Sequence, residues 1–304
     1  MEGQIAALKE APRQDGGVDP KHPLTGVNRV ADADAGTIDI LEPDGVTPRK
    51  KFALCGFASS TRGMAPFSEP GWAVVGMNQL NRHIPRADVW FEIHKEWNAA
   101  VVPGTDHAGW MRDCGIPVLM TDRVPGLPTS VRYPLERLSG KFSDYFTSTV
   151  AYMVAFFTDH IDRLVEQRLR EAPPNGMATA WDVAELQRSM YAEYTIGIFG
   201  IDLIVGEEYS YQKPCAEYHI GQALARGITV MIPPQSALLT QRYRYGYFME
   251  PDQLIKDSDL EARRVTLVNL AQKHAEELAK LNGALGEIAY WTEVRTLRER
   301  GGSI

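Results

Sequence analysis

Six short apolar runs constrain this chain more than any other feature: Phe52 to Gly56, Trp72 to Met77, Val89 to Ile93, Ile116 to Met120, Thr195 to Phe199 and Ile228 to Ile232. Each has the length of a strand, and most run on without the polar alternation of a strand with one wet face. Such runs are buried on both sides, which happens when helices cover both faces of a parallel sheet. Helix-length segments do separate the later runs. Tyr145 to Arg170 opens on Thr147-Ser148-Thr149, a cluster suited to capping, and carries Val150, Met153, Val154 and Phe157 on one side. Lys213 to Arg226 is a second helix, stopped by Gly227 just before the last run.

Strand, helix and strand at this spacing predict an α/β fold: a Rossmann-like, mainly parallel sheet flanked by helices. The 304 residues allow one large or two small domains. We expect residues 52–247 to form the Rossmann-like nucleotide-binding domain. A helical insertion near 171–193 interrupts it, where Pro173-Pro174-Asn175-Gly176 breaks the helical pattern and Ala180 to Tyr191 resumes it. Residues 1–51, rich in Gly, Pro, Asp and Thr, read as an extended or partly disordered lead-in. Residues 248–304 read as a C-terminal helical hairpin, Asp257 to Leu281 and Ala284 to Arg300, turning at Asn282-Gly283. That hairpin is either a solvated pair on the domain or an arm for homo-oligomer formation.

Composition narrows the partners. With 32 Lys plus Arg against 39 Asp plus Glu, the formal net charge is -7, which argues against a generally basic nucleic-acid coat. A local cationic groove would be the exception: Arg242, Arg244 and Lys256 accompany the aromatic run Tyr243, Tyr245, Tyr247 and Phe248, which otherwise reads as a packed connection to the C-terminal hairpin. Three cysteines without CxxC spacing suggest neither a disulfide framework nor a zinc site, and fit a reducing cytoplasm. Met1 to Lys9 has no apolar core, and no apolar run reaches about 18 residues. We therefore expect no signal peptide and no membrane span.

In an open parallel sheet the ligand lies beyond the carboxyl ends of the strands, so the residues after each run are the candidates. After the first come Gly56-Phe57-Ala58-Ser59-Ser60, small and hydroxylated but without a Walker lysine or a GxGxxG pattern. After the second stand Asn78 and Gln79, two amides able to read a base edge or a ribose. His94 follows the third, with Glu92 one pleat before it. The fifth leads to Gly200-Ile201-Asp202 and the loop Glu207-Glu208-Tyr209-Ser210-Tyr211-Gln212. Asp202 with Glu207 or Glu208 is a carboxylate cluster able to hold Mg²⁺, or Asp202 braces the loop. Asp32-Ala33-Asp34, an Asp-x-Asp, has no apolar strand before it and reads as a solvated loop rather than a metal site.

The order of these motifs resembles that of the bacterial lipooligosaccharide sialyltransferases. Cys55-Gly56 to Ser60, Gly76-Met77-Asn78-Gln79, Tyr145 to Met153, Ile198 to Leu203 and Pro233 to Leu239 follow one another as in that family, over roughly residues 52 to 240. The scaffold is also similar to MptE-like 6-hydroxymethylpterin diphosphokinases, and to uncharacterised bacteriophage proteins with the same FEIH and EYxYQxP signatures. The resemblance implies a glycosyltransferase with a nucleotide sugar as donor substrate and no tightly bound cofactor or metal. Gly56, Ser59, Ser60, Asn78, Gln79, Gly200 and Asp202 would surround the nucleotide, with Thr147, Ser148 and Thr149 capping a helix against it. Tyr209 and Tyr211 would steady the leaving phosphate. A histidine would act as base, His219 before His94. Where the family loop reads Gly-Asn-Gly-Pro-Ser, this chain has Phe57, Ala58 and Ser59 in the middle positions. A phage-encoded enzyme of this kind would work in the host cytoplasm on a hydroxylated acceptor, a modified DNA base included. The alternatives are an MptE-like diphosphokinase, which needs a metal-bridged triphosphate, and a non-catalytic nucleotide-binding protein.

Overall fold

The computed structural model describes residues 26–97, 106–171, 179–203, 207–240 and 257–299. The chain divides into two units, Met1–Thr240 and Gln241–Ile304, a boundary slightly before the predicted one. The first unit opens with an antiparallel hairpin, β1 (Asn28–Asp32) and β2 (Thr37–Ile40). A seven-stranded parallel sheet follows: β3 (Lys51–Cys55), β4 (Trp72–Met77), β5 (Val89–Glu92), β6 (Val118–Met120), β7 (Ser130–Arg132), β8 (Thr195–Phe199) and β9 (Thr229–Met231). The spatial order is β7-β6-β5-β4-β3-β8-β9, and every pairing is parallel. All six predicted runs are strands of this Rossmann-like sheet. The seventh, Ser130–Arg132, has too short an apolar stretch to announce itself.

Strand residues alternate between two cores, as a sheet covered on both faces requires. Phe52 and Leu54 point to one side with Val75, Phe91, Ile196 and Ile198. There they meet α4 (Thr149–Glu171) through Val150, Met153, Phe156, Phe157 and Ile161, and α6 (Glu207–Arg226) through Ala216, Ile220 and Ala223. Ala53 and Cys55 point to the other, against Val74, Trp90, Val118 and Met111 of the short helix α2 (His107–Asp113). The described residues of the unit also include α1 (Ser59–Arg62), α3 (Leu135–Lys141), α5 (Ala180–Tyr191) and a short 3-10 helix over Asn78–Arg82. Helix α5 is the predicted insertion, and its start is set by a reciprocal capping box between Thr179 and Asp182.

Two expectations need correction. The lead-in is folded from residue 26: Ile38 and Ile40 of β2 are 1% exposed and join the core under α4. Its base is pinned by charge. Asp88 and Arg86 are fully buried and paired at 2.7 Å, and the second carboxylate oxygen of Asp88 accepts from Gly26 N at 3.0 Å and Asn28 Nδ2 at 3.2 Å. Asp32-Ala33-Asp34 is the hairpin turn, where Asp32 Oδ1 accepts from the amides of Asp34 and Ala35 at 3.0 and 2.9 Å. The C-terminal hairpin is instead one helix, α7 (Asp257–Glu299), that runs through Asn282-Gly283 without turning. Asn and Gly each cost only up to about 1 kcal/mol inside a helix, and no proline stands there to break the ladder.

His160 lies on the core side of α4, 4% exposed, among Phe52, Phe156 and Phe157, and burial lowers its pKa to about 3. The native imidazole therefore stays neutral while the unfolded one takes a proton below its ordinary value of about 6.5. The associated stability is present above that value and is lost as pH falls toward 3. In urea denaturation, His160→Leu should gain roughly 2–3 kcal/mol relative to the wild type between about pH 7 and about pH 4.5. Parallel pH dependences for the two proteins would contradict this placement.

Candidate functional site

The chain leaves β3 toward one side of the sheet and, after β7, returns to β8 on the other side of β3. This reversal opens a crevice at the strand ends, the place where such sheets bind ligands. The two strand-end loops are tied together there by backbone. Gly56 N donates to Phe199 O at 2.8 Å, Ala58 N to Gly200 O at 2.7 Å, and Gly200 N to the buried Thr61 Oγ1 at 2.7 Å. Both positions demand glycine. A Cβ on Gly56 would sit 2.6 Å from Gly200 O, and one on Gly200, whose φ is +67°, would sit 2.5 Å from Gly56 O.

Beside this crossing lies a cavity of about 770 Å³. Its wall is formed by Phe57 and Ala58 after β3, Met77 and Asn78 after β4, Ile93 and His94 after β5, and Gly200 to Leu203 after β8. Phe146 to Val150 and Tyr152, at the start of α4, with Tyr211 and Gln212 of α6, close the other side. Ser148 Oγ accepts from Ala151 N at 3.2 Å, so the side chain serves one of the amides that the helix leaves unpaired. Thr149 and Val150 precede the first intrahelical bonds of this 23-residue helix, and both line the cavity. Free amides and the positive end of the helix dipole therefore meet at its wall, an arrangement that favours an anion. The wall carries no lysine or arginine among the described residues.

Opposite in chemistry is His94. Its ring is 61% exposed and its Nδ1 lies 2.9 Å from Oε1 of Glu92, which is 1% exposed. The other oxygen of Glu92 accepts from Nε2 of buried His107 at 2.9 Å, and that ring stacks on Trp110 at 5.9 Å. Nδ1 of His94 faces the carboxylate, so Nε2 is the ring nitrogen turned away from Glu92 and, in the neutral ring with Nδ1–H donated to Glu92, the one able to accept a proton. Sequence reasoning named Glu92 only as a neighbour and missed His107. The FEIH motif held half the signal, because residues one pleat apart share a strand face; His107 comes from a distant helix.

Of the predicted nucleotide contacts, Asn78, Thr147, Ser148, Thr149, Gly200 and Asp202 line the cavity, as do His94 and Tyr211. Asn78 adopts φ of 50°, and its Oδ1 is buried without a hydrogen-bond partner. Thr147 Oγ1 donates to Tyr211 O at 3.0 Å, linking the start of α4 to α6. Gly56 serves the crossing behind the wall. Ser60 is one step removed, donating to Asp202 Oδ2 at 2.6 Å. Ser59, exposed at the start of α1, and Gln79, half-buried after β4, do not line the cavity. Glu207, Glu208 and Tyr209 begin α6, with side chains outside the described residues, as are Arg242, Tyr243, Arg244, Tyr245, Tyr247, Phe248 and Lys256. Among the described residues no group of three or more His, Cys, Asp or Glu is placed to hold a metal ion.

His219 is a correction. It is fully buried on α6, stacks on Phe146 at 4.7 Å and donates from Nε2 to Tyr145 O at 2.8 Å, so it does not reach the cavity. Burial holds its pKa below the usual histidine value. Its place is structural: with Cys215 Sγ, which accepts from Thr147 N at 3.3 Å, it fixes the segment that enters α4. The three cysteines are buried and free, and no helix among the described residues is long and apolar enough to cross a membrane.

Compared with family models, with curated proteins and with solved structures, the chain matches none. Its site therefore rests on geometry. Gly200→Ala should lower stability by roughly 2–3 kcal/mol, through the strained φ and the clash with Gly56 O. Gly221→Ala, on α6 with open space around it, should change stability little or raise it. Thermal unfolding of the two variants checks this, and equal stabilities would show that the crossing does not hold the site.

Proposed function

We propose that the chain is a nucleotide-sugar-dependent glycosyltransferase whose donor phosphate sits at the start of α4 and whose base is His94. One observation carries this reading: a helix N-terminus with free amides and an oriented histidine line the same cavity at the strand ends. A nucleotide with a single phosphate suits a wall that offers amides and the hydroxyls of Thr149 and Tyr211 rather than lysine or arginine. The buried, unpaired Oδ1 of Asn78 accepts from a ribose hydroxyl or an exocyclic amine.

In the reaction, the acceptor hydroxyl oxygen forms a bond to the anomeric carbon as the bond from that carbon to the phosphate oxygen breaks. His94 Nε2 takes the acceptor's proton, and Glu92 stabilises the imidazolium that forms. The leaving nucleotide keeps the electron pair, and the amides at the start of α4 spread its charge. The resemblance to sialyltransferases adds a CMP-sugar as the first donor to try. A hydroxylated acceptor, a modified DNA base among them, completes the proposal.

Calorimetry with CMP and turnover with a panel of nucleotide sugars in EDTA test it. His94→Ala should bind CMP within about twofold of the wild type and lose roughly 10²- to 10⁴-fold in kcat. Undiminished turnover of that variant, or heat only with ATP and Mg²⁺, would overturn the reading, the latter in favour of diphosphoryl transfer.

A further inference from the structure

We propose that His107 is a positioning residue for His94, acting through the buried carboxylate of Glu92 that both imidazoles contact. The inference rests on the reading of His94 as the base, and extends it to a side chain that does not line the cavity. His94 by itself is poorly held. Its ring is 61% exposed, and Glu92 Oε1 at 2.9 Å is its one hydrogen-bond partner among the described residues. The tautomer that leaves Nε2 as acceptor therefore lasts only while Glu92 stays an anion turned toward Nδ1.

His107 supplies that condition. Its Nε2 lies 2.9 Å from Glu92 Oε2, and its Nδ1 is buried without a hydrogen-bond partner. A proton on Nδ1 would be a buried donor with nothing to meet, so the neutral ring carries its proton on Nε2 and gives it to the carboxylate. The ring is fixed in turn. It stacks on Trp110 at 5.9 Å with the planes 10° apart, Asp106 caps α2 by accepting from Gly109 N at 2.6 Å, and Met111 anchors the same helix in the core. Without the donor, Glu92 Oε2 would be a buried charged oxygen with no partner among the described residues, which costs more than a neutral group left unpaired. Protonation relieves it: the Nδ1 proton of His94 passes to Glu92 Oε1 while Nε2 takes one from solvent. His94 then presents an N–H where the reaction needs a lone pair.

Nitrogen-15 NMR of the full chain with labelled histidine, at about pH 8 where an ordinary imidazole is neutral, tests this. In the wild type His94 should carry its proton on Nδ1 and His107 on Nε2. His107→Phe keeps a ring against Trp110 but has no donor; His94 should then carry its proton on Nε2, with kcat for transfer down roughly 10- to 100-fold and KM within about twofold. His107→Gln returns an N–H donor and should restore the Nδ1–H form and most of kcat. In a His94→Ala background, His107→Phe should cost nothing further, whereas a residue that only supports the fold would cost the same in both backgrounds. A wild-type His94 protonated on Nε2, or a His94 tautomer unchanged in His107→Phe, would overturn the inference. The first of these needs no variant to fold. Should no donor turn over, the transferase reading fails while the tautomer of His94 still decides this inference.

Discussion

The backbone exchange between the ends of β3 and β8 is the constraint on which the site depends. Parallel strands cannot be joined by a tight turn, so each ends in a loop whose path is free unless something fixes it. Here Gly56, Ala58 and Gly200 fix one another through main-chain bonds, with Thr61 Oγ1 receiving the Gly200 amide. No side chain fits between the two loops. The crossing sets where Ala58 and Asp202 stand, and they in turn form one wall of the cavity. Thr61→Val would leave that amide buried and unpaired, a loss felt at the site before it is felt in the sheet.

Across the cavity, the two chemical functions come from unrelated parts of the chain and are held by different means. The start of α4 is fixed by packing and sulfur contact: His219 under Phe146, Cys215 against the Thr147 amide. His94 is fixed by a buried carboxylate that it shares with His107. This division suits an acidic chain. With a net charge of -7, an anion is better held by short-range dipoles than by the long-range field of the protein.

The sheet was legible because parallel strands buried on both faces leave continuous apolar runs, and every one of the six became a strand. The strand-end rule then placed Asn78, His94, Gly200 and Asp202 on the cavity. What stayed hidden has physical causes. The β1–β2 hairpin is short and polar on one side, and its fold comes from distant partners such as Asp88 and the core under α4. Asn282-Gly283 resembles a turn locally, but a turn signal is a small bias against a long helix. His219 stood at the right distance in sequence. Which side of α6 it faced depended on Tyr145 and Phe146, 74 residues before it in the case of Tyr145, and no local pattern reports that.

Amide NMR during titration with CMP shows whether an anionic nucleotide binds where the helix amides meet the crevice. The largest shifts are expected at Thr149, Val150, Gly200 and Asp202, with the imidazole of His94 responding and that of His219 still. Shifts confined to other surfaces, such as the cleft beside Trp181 and Arg188, or no shift at millimolar CMP, would contradict binding there.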